Sequence, residues 1–123
     1  MILVDTSIWV DHFRAANPAL REVLRSELAL THPFVVGELA CGSLKNRTRV
    51  LSDLNTLPLA TLATQEEVLQ LIEGRELWGR GIGWIDAHLL ASALLSNCQL
   101  WTLDHQLRQA AGRAGVKPHH YTC

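Results

Sequence analysis

The chain opens on a short, unbroken apolar run, Met1-Ile2-Leu3-Val4, closed by the polar triplet Asp5-Thr6-Ser7. A run this short without polar alternation reads as a strand buried on both faces and handing over to a helix. Asp5 then falls at the carboxyl end of that strand. Residues 18 to 28 switch to helical spacing, with Leu20, Val23, Leu24 and Leu28 on one side, Asn17 as N-cap and Pro18 at the first helical position. A second helix is predicted from Pro33 to about Leu44, with Val35, Val36, Leu39 and Ala40 on its apolar face and Glu38 in its middle. A third runs from Arg47 to Leu54. Leu57 to Leu62 predicts a short strand, weakened by Pro58, which has no N–H for a sheet ladder.

Thr64-Gln65-Glu66-Glu67 has the spacing of a capping box, and Val68, Leu71, Ile72 and Leu77 follow it periodically. This predicts a helix from 65 to about 78, stopped by Gly79, Gly81 and Gly83. Residues 84 to 96 are nearly all apolar apart from Asp86, His88 and Ser92, the pattern of a helix buried on most sides. Gln99 to Leu103 reads as a second buried strand, ended by Asp104 and followed by a helix to about Arg113. Short apolar strands alternating with helices predict a single α/β domain over residues 1–123 with a central, mainly parallel sheet. Ligands bind such sheets at the carboxyl ends of the strands, where Asp5 and Asp104 both fall.

Composition narrows the chemistry. A chain of 123 residues that is 48% hydrophobic and 19% charged supports one core and is not disordered. The formal net charge of -1 argues against a broad basic saddle for duplex DNA. It does not argue against a nuclease whose acids are locally offset by divalent cations. Cys41, Cys98 and Cys123 are odd in number and contain no C-x-x-C pair, so they read as free thiols of a reducing compartment. The apolar start is too short for a signal peptide, and no stretch approaches the ~20 apolar residues of a membrane span. A soluble, cytoplasmic protein is expected.

Cleaving a phosphodiester requires an activated water, neutralisation of the phosphate and stabilisation of the leaving oxygen, which one or two Mg²⁺ ions supply. Mg²⁺ takes oxygen ligands, so the pattern to seek is three or four carboxylates from different elements. Asp5, Glu38, Asp86 and Asp104 form such a set. Asp5 and Asp104 each also precede a helix they could simply cap, and Asp86 falls in a first helical turn, where the helix dipole favours an acid. Glu38 is embedded in Val35-Val36-Gly37-Glu38-Leu39-Ala40, so it requires either a partner or an exposed helix face. Gly42, four residues on, is expected on the same face and gives room beside that carboxylate.

Four segments in order, Ile2-Leu3-Val4-Asp5-Thr6-Ser7, Val36-Gly37-Glu38-Leu39-Ala40-Cys41-Gly42, Asp86-Ala87-His88-Leu89-Leu90-Ala91-Ser92-Ala93 and Trp101-Thr102-Leu103-Asp104, resemble the motifs of PIN-domain nucleases. Chain length and motif order resemble the VapC toxins of bacterial toxin-antitoxin modules. The resemblance implies a three-layer α/β/α fold and a Mg²⁺ site that Mn²⁺ also fills. It further implies endonucleolytic cleavage of a structured RNA, such as a tRNA or a ribosomal RNA loop, leaving 5′-phosphate and 3′-hydroxyl ends. A homodimer and a cognate VapB-type antitoxin blocking the site, commonly through a C-terminal segment, follow from it too. The family's acids map onto Asp5, Glu38, Asp86 and Asp104 as metal-holding, catalytic residues. Thr6 and Thr102 match hydroxyl positions that support the carboxylates. The chain departs from some relatives where a further acid follows the last Asp: His105, Gln106 and Leu107 stand there instead.

Other features carry less. Lys45, Arg47 and Arg49 suit RNA phosphates or an antitoxin, and equally a solvated helix face. The glycines from 79 to 83 lack the lysine and hydroxyl ending of a phosphate loop and read as a connector. Trp101 is expected in the core, Trp9 on a partner surface, and His119 and His120 in solvent. Two rivals remain at this level. A Mg²⁺-dependent phosphatase would need an Asp where Ser7 stands, and a non-catalytic RNA- or partner-binding module would keep the fold without the chemistry.

Overall fold

The computed structural model describes residues 1–120; Cys123 lies outside them. The elements are β1 (Ile2–Val4), α1 (Thr6–Arg14), α2 (Pro18–Arg25), β2 (Ala29–Leu30), α3 (Pro33–Cys41), α4 (Arg47–Leu54), α5 (Gln65–Arg75), α6 (Trp84–Ser96), β3 (Gln99–Trp101) and α7 (His105–Ala114). The sheet has the order β2-β1-β3 and is parallel throughout, with Ile2 opposite both Ala29 and Gln99. Single parallel bridges, Thr31 to Leu59 and Leu100 to Pro118, extend it at either edge. One group of helices joins α1, α3 and α4, another joins α5, α6 and α7, giving the α/β/α arrangement expected from the alternation.

β1 is central and has no solvent face. Leu3 and Val4 are fully buried, which is why the opening run carries no polar alternation. Around them close Ile8 of α1, Leu20 of α2, Val35 of α3, Leu89 and Leu90 of α6, Leu100 of β3 and Leu107 of α7. Asn17 caps α2 by accepting the Leu20 N–H, and Thr64 and Glu67 make the reciprocal capping box of α5.

Several boundaries move, each for a local reason. The helix expected to reach residue 28 ends at Arg25, because Glu27 turns left-handed (φ 56) and the chain re-enters the sheet as β2. Two residues of strand are too short to leave a periodic signature. α3 ends at Cys41 rather than near Leu44, with Gly42 as its extended C-cap. The strand expected at 57–62 contributes one bridge, at Leu59, while Pro58 offers only its carbonyl to the Thr31 N–H. α5 stops at Arg75, before the glycines, where Glu76 turns left-handed and Leu77 folds back to bury itself. β3 ends at Trp101, leaving Leu103 54% exposed. No helix among the described residues is long and apolar enough to cross a membrane.

Candidate active site

The carboxyl end of β1 delivers Asp5 into a pair of hydroxyls. Asp5 occupies the N-cap position of α1 but makes no capping bond with its side chain. Its carboxylate is only 6% exposed, and Oδ2 accepts from Thr102 Oγ1 at 2.7 Å and from Ser7 Oγ at 2.9 Å. Each hydroxyl in turn accepts a backbone N–H, Ser7 from Leu103 at 3.0 Å and Thr102 from Asp104 at 3.0 Å. Both hydroxyl protons are therefore directed at Asp5, and the 3.3 Å approach between the two oxygens is left without one. A buried acid held by charge-assisted bonds from two residues 95 positions apart is not a helix cap. Arg108 steadies the same turn by donating to the Thr102 carbonyl at 2.7 Å.

Asp104 and Asp86 do serve their helices. Asp104 Oδ1 caps α7 by accepting from the Gln106 and Leu107 N–H groups at 2.9 and 3.2 Å. Asp86, in the first turn of α6, accepts the Gly83 N–H at 3.0 Å through Oδ2. Burial raises the Asp86 pKa, the Gly83 bond opposes that shift, and the negative charges of Asp5 and Asp104 raise it further. Asp86 of α6 thus lies close enough to Asp5, at the end of β1, and to Asp104, at the β3–α7 junction, to feel the charge of both.

Glu38 is exposed on α3 and accepts from Thr6 Oγ1 at 2.9 Å, so both expected resolutions, a partner and an exposed face, apply at once. Thr6 follows Asp5 directly, and this bond links Glu38 to the acid group. Gly42, four residues on, is the C-cap of α3 and lines the same cleft as Glu38; a Cβ there would make only an ordinary contact with the Leu39 carbonyl.

No ion pair formed among the described residues involves any of the four acids. Oxygen donors of one charge, buried at Asp5, half-buried at Asp86 and exposed at Asp104 and Glu38, with no ion pair to a cation among the described residues, suit a hard divalent cation. Among the described residues no three acidic, His or Cys side chains already close around a single point. Asp104, Asp86 and Glu38 instead turn to Gln106, Gly83 and Thr6 respectively.

Ser7 is the residue that sequence reasoning passed over. Its one signal was position: a hydroxyl two residues after a strand-end Asp lies in the first helical turn, facing back toward the carboxylate. Trp9 is 3% exposed, not a partner surface; Phe13, stacked on it at 5.9 Å, is what reaches solvent. His119 is half-buried against Trp101 and bonded to Gln99, whereas His120 is exposed. His105 is exposed at the start of α7. Arg47 bonds to the Ala40 carbonyl and Arg49 pairs with Asp53 at 4.0 Å, while Lys45 faces a cleft beside Glu38.

Comparison with known proteins places this geometry. A family model described as PIN domain matches residues 2–113. Two curated proteins, each named Ribonuclease VapC32, from Mycobacterium tuberculosis strains CDC 1551 / Oshkosh and ATCC 25618 / H37Rv, are each 49% identical over 117 residues, covering 94% of this chain and 94% of theirs.

Proposed function

Because the chain belongs to the PIN-domain family, and within it to the VapC ribonucleases, we propose that it is a metal-dependent endoribonuclease and the toxin of a type II toxin-antitoxin module. The observation that carries the metal dependence is the buried Asp5 carboxylate, fed by two hydroxyls and near the charge of Asp86, with no ion pair to a cation among the described residues. Asp5, Asp86 and Asp104 would hold Mg²⁺ or Mn²⁺, with Glu38 at the rim. Such an ion lowers the pKa of a water and neutralises the scissile phosphate.

The chain's own residues do the positioning. Thr102 and Ser7 fix Asp5 through Oδ2, leaving Oδ1 with no donor from the described residues. Gly83 orients Asp86, and the first turn of α7 orients Asp104. Thr6 holds Glu38 against the end of α1. Preorganised acids of this kind need little rearrangement when substrate and cation arrive.

The substrate is a structured RNA, a tRNA or a ribosomal RNA loop, cut to 5′-phosphate and 3′-hydroxyl ends in the cytoplasm. The partners are a VapB-type antitoxin and a second copy of the chain. Phe34 and Trp84, which flank His88 and stay 36% and 41% exposed, give a homodimer an apolar face to cover. The test incubates the antitoxin-free protein and Asp86→Asn with total bacterial RNA, in Mg²⁺ or EDTA, and maps the new ends by sequencing. Discrete cuts confined to wild type with Mg²⁺ are expected. Cuts of equal strength in EDTA or in Asp86→Asn would overturn the metal mechanism.

A further inference from the structure

We propose that the cleft beside Glu38 seats the single-stranded RNA segment flanking the scissile phosphate, with a base on Phe13 and backbone phosphates on Arg14, Arg21 and Lys45. This rests on the nuclease reading above. The cleft has a volume of about 810 Å³, and its lining includes Glu38 and Thr6, which are bonded to each other at 2.9 Å; Thr6 directly follows Asp5, so the cleft borders the acid group. That volume lies in the range of pockets that accept sizeable ligands.

Charge selects the occupant. Arg14, Arg21 and Lys45 all line the cleft, and among the described residues none of them makes an ion pair or a side-chain hydrogen bond. Glu38 is the one acid in the lining. In a chain of formal net charge -1, three unspent cations around one cleft are a local reversal of sign. Backbone phosphates are the ligand such a wall attracts, with release of their counter-ions. His12, also in the lining, has its pKa lowered by burial and then by the charge of Arg21, against the opposing pull of Asp11.

Shape adds the second element. Phe13 is 37% exposed in the cleft and backed by the buried Trp9, with their rings 26° from parallel at 5.9 Å. A supported, half-exposed ring is a platform on which any base stacks regardless of sequence. The cleft therefore grips the strand beside the cut without reading it, and places that strand's next phosphate toward Glu38 and Thr6.

The experiment measures anisotropy of a short fluorescein-labelled single-stranded RNA on full-length protein in EDTA, across a salt series, alongside Mg²⁺-dependent cleavage of the same RNA. The variants are Arg21→Gln, Lys45→Gln and Phe13→Leu. Lys117→Gln, at the opposite end of the strands, is the control. Each cation variant is expected to reduce the salt slope by about 0.7, the value for one single-strand phosphate contact. Phe13→Leu is expected to weaken binding about tenfold with the salt slope unchanged, as loss of one stacked base predicts. Wild type that cleaves RNA while all three variants bind it as Lys117→Gln does overturns the cleft assignment and leaves the nuclease reading standing. The same result with tight binding of an acidic or apolar peptide, lost in Phe13→Leu, assigns the cleft to a protein segment instead. Wild type that fails to cleave any RNA overturns the nuclease reading itself.

Discussion

Thr102→Val tests whether the hydroxyl pair, and not merely the acids, builds the site. The two side chains have nearly the same shape, and Thr102 is 2% exposed, so packing changes little. Two hydrogen bonds are lost: the 2.7 Å bond to the Asp5 carboxylate and the 3.0 Å bond accepted from the Asp104 N–H. A bond to a charged group contributes about 1.5–3 kcal/mol and a neutral one about 1 kcal/mol. The second loss is partly recovered by water, because Asp104 is exposed. The net cost is about 2–4 kcal/mol, or a fall in Tm of roughly 8–16 °C for a domain of this size. Urea unfolding of metal-free protein at neutral pH reads this directly. A double-mutant cycle with Asp5→Ala isolates the carboxylate bond, with an expected coupling of about 1.5–3 kcal/mol. Thr102→Ser, which restores the hydroxyl, should recover most of the loss. A cost under about 0.5 kcal/mol, or an equal cost with Asp5 already removed, would refute the argument that Asp5 is held by Thr102.

Asp86 ionises against burial and against Asp5 and Asp104, so its folded-state pKa lies above its ordinary value and its charge opposes folding at neutral pH. Asp86→Asn should therefore raise the Tm of metal-free protein near pH 7 and abolish cleavage; Mn²⁺, expected to raise the wild-type Tm by binding the folded acids, should leave the variant's unchanged, and a lower metal-free Tm would contradict the charge argument. His32 is buried, and that burial, with His88 second, lowers its pKa from 6.5 to about 4. Because the unfolded chain takes up this proton first, stability is full above pH 6.5 and falls by up to about 3 kcal/mol as pH drops to about 4. His32→Asn keeps an acceptor for the Phe34 N–H and should flatten that part of the stability–pH curve, whereas an unchanged slope would place the titration elsewhere. Gly81 has φ +77, and a Cβ there would overlap the Gln106 side chain. Gly81→Ala should cost about 1–2 kcal/mol in urea unfolding, from the left-handed backbone and not from the exposed Gln106 tip, which can swing aside, and should slow cleavage because this loop leads to Gly83 and Asp86; wild-type stability would refute the left-handed strain.

The sequence by itself determined the alternation of buried strands and amphipathic helices, and hence the layered architecture. Periodicity is local, and Met1-Ile2-Leu3-Val4, residues 84 to 96 and the capping box at Thr64 each carry it within a few turns of chain. It also supplied all four acids as candidates, because carboxylates at strand ends and on an apolar helix are conspicuous where they stand. Tertiary structure alone decided which acids meet more than their own helix. Asp104 and Asp86 each have a local backbone donor that explains them, whereas Asp5, besides the nearby Ser7 hydroxyl, takes its shortest bond from Thr102, 97 residues away. The spacing of Ser7 from Asp5 hints at their bond, but only packing supplies the Leu103 N–H that turns the Ser7 hydroxyl proton onto Asp5. β2 and the bridges at Leu59 and Pro118 were also decided late, since a strand of one or two residues is fixed by its neighbours and not by its own pattern. The cleft likewise exists only after folding, because Arg14, Arg21 and Lys45 come together only when α1, α2 and the α3–α4 connection pack. Local hydrogen bonding and hydrophobic periodicity are written in neighbouring residues; charge encounters and cavities arise from parts of the chain that only packing makes adjacent.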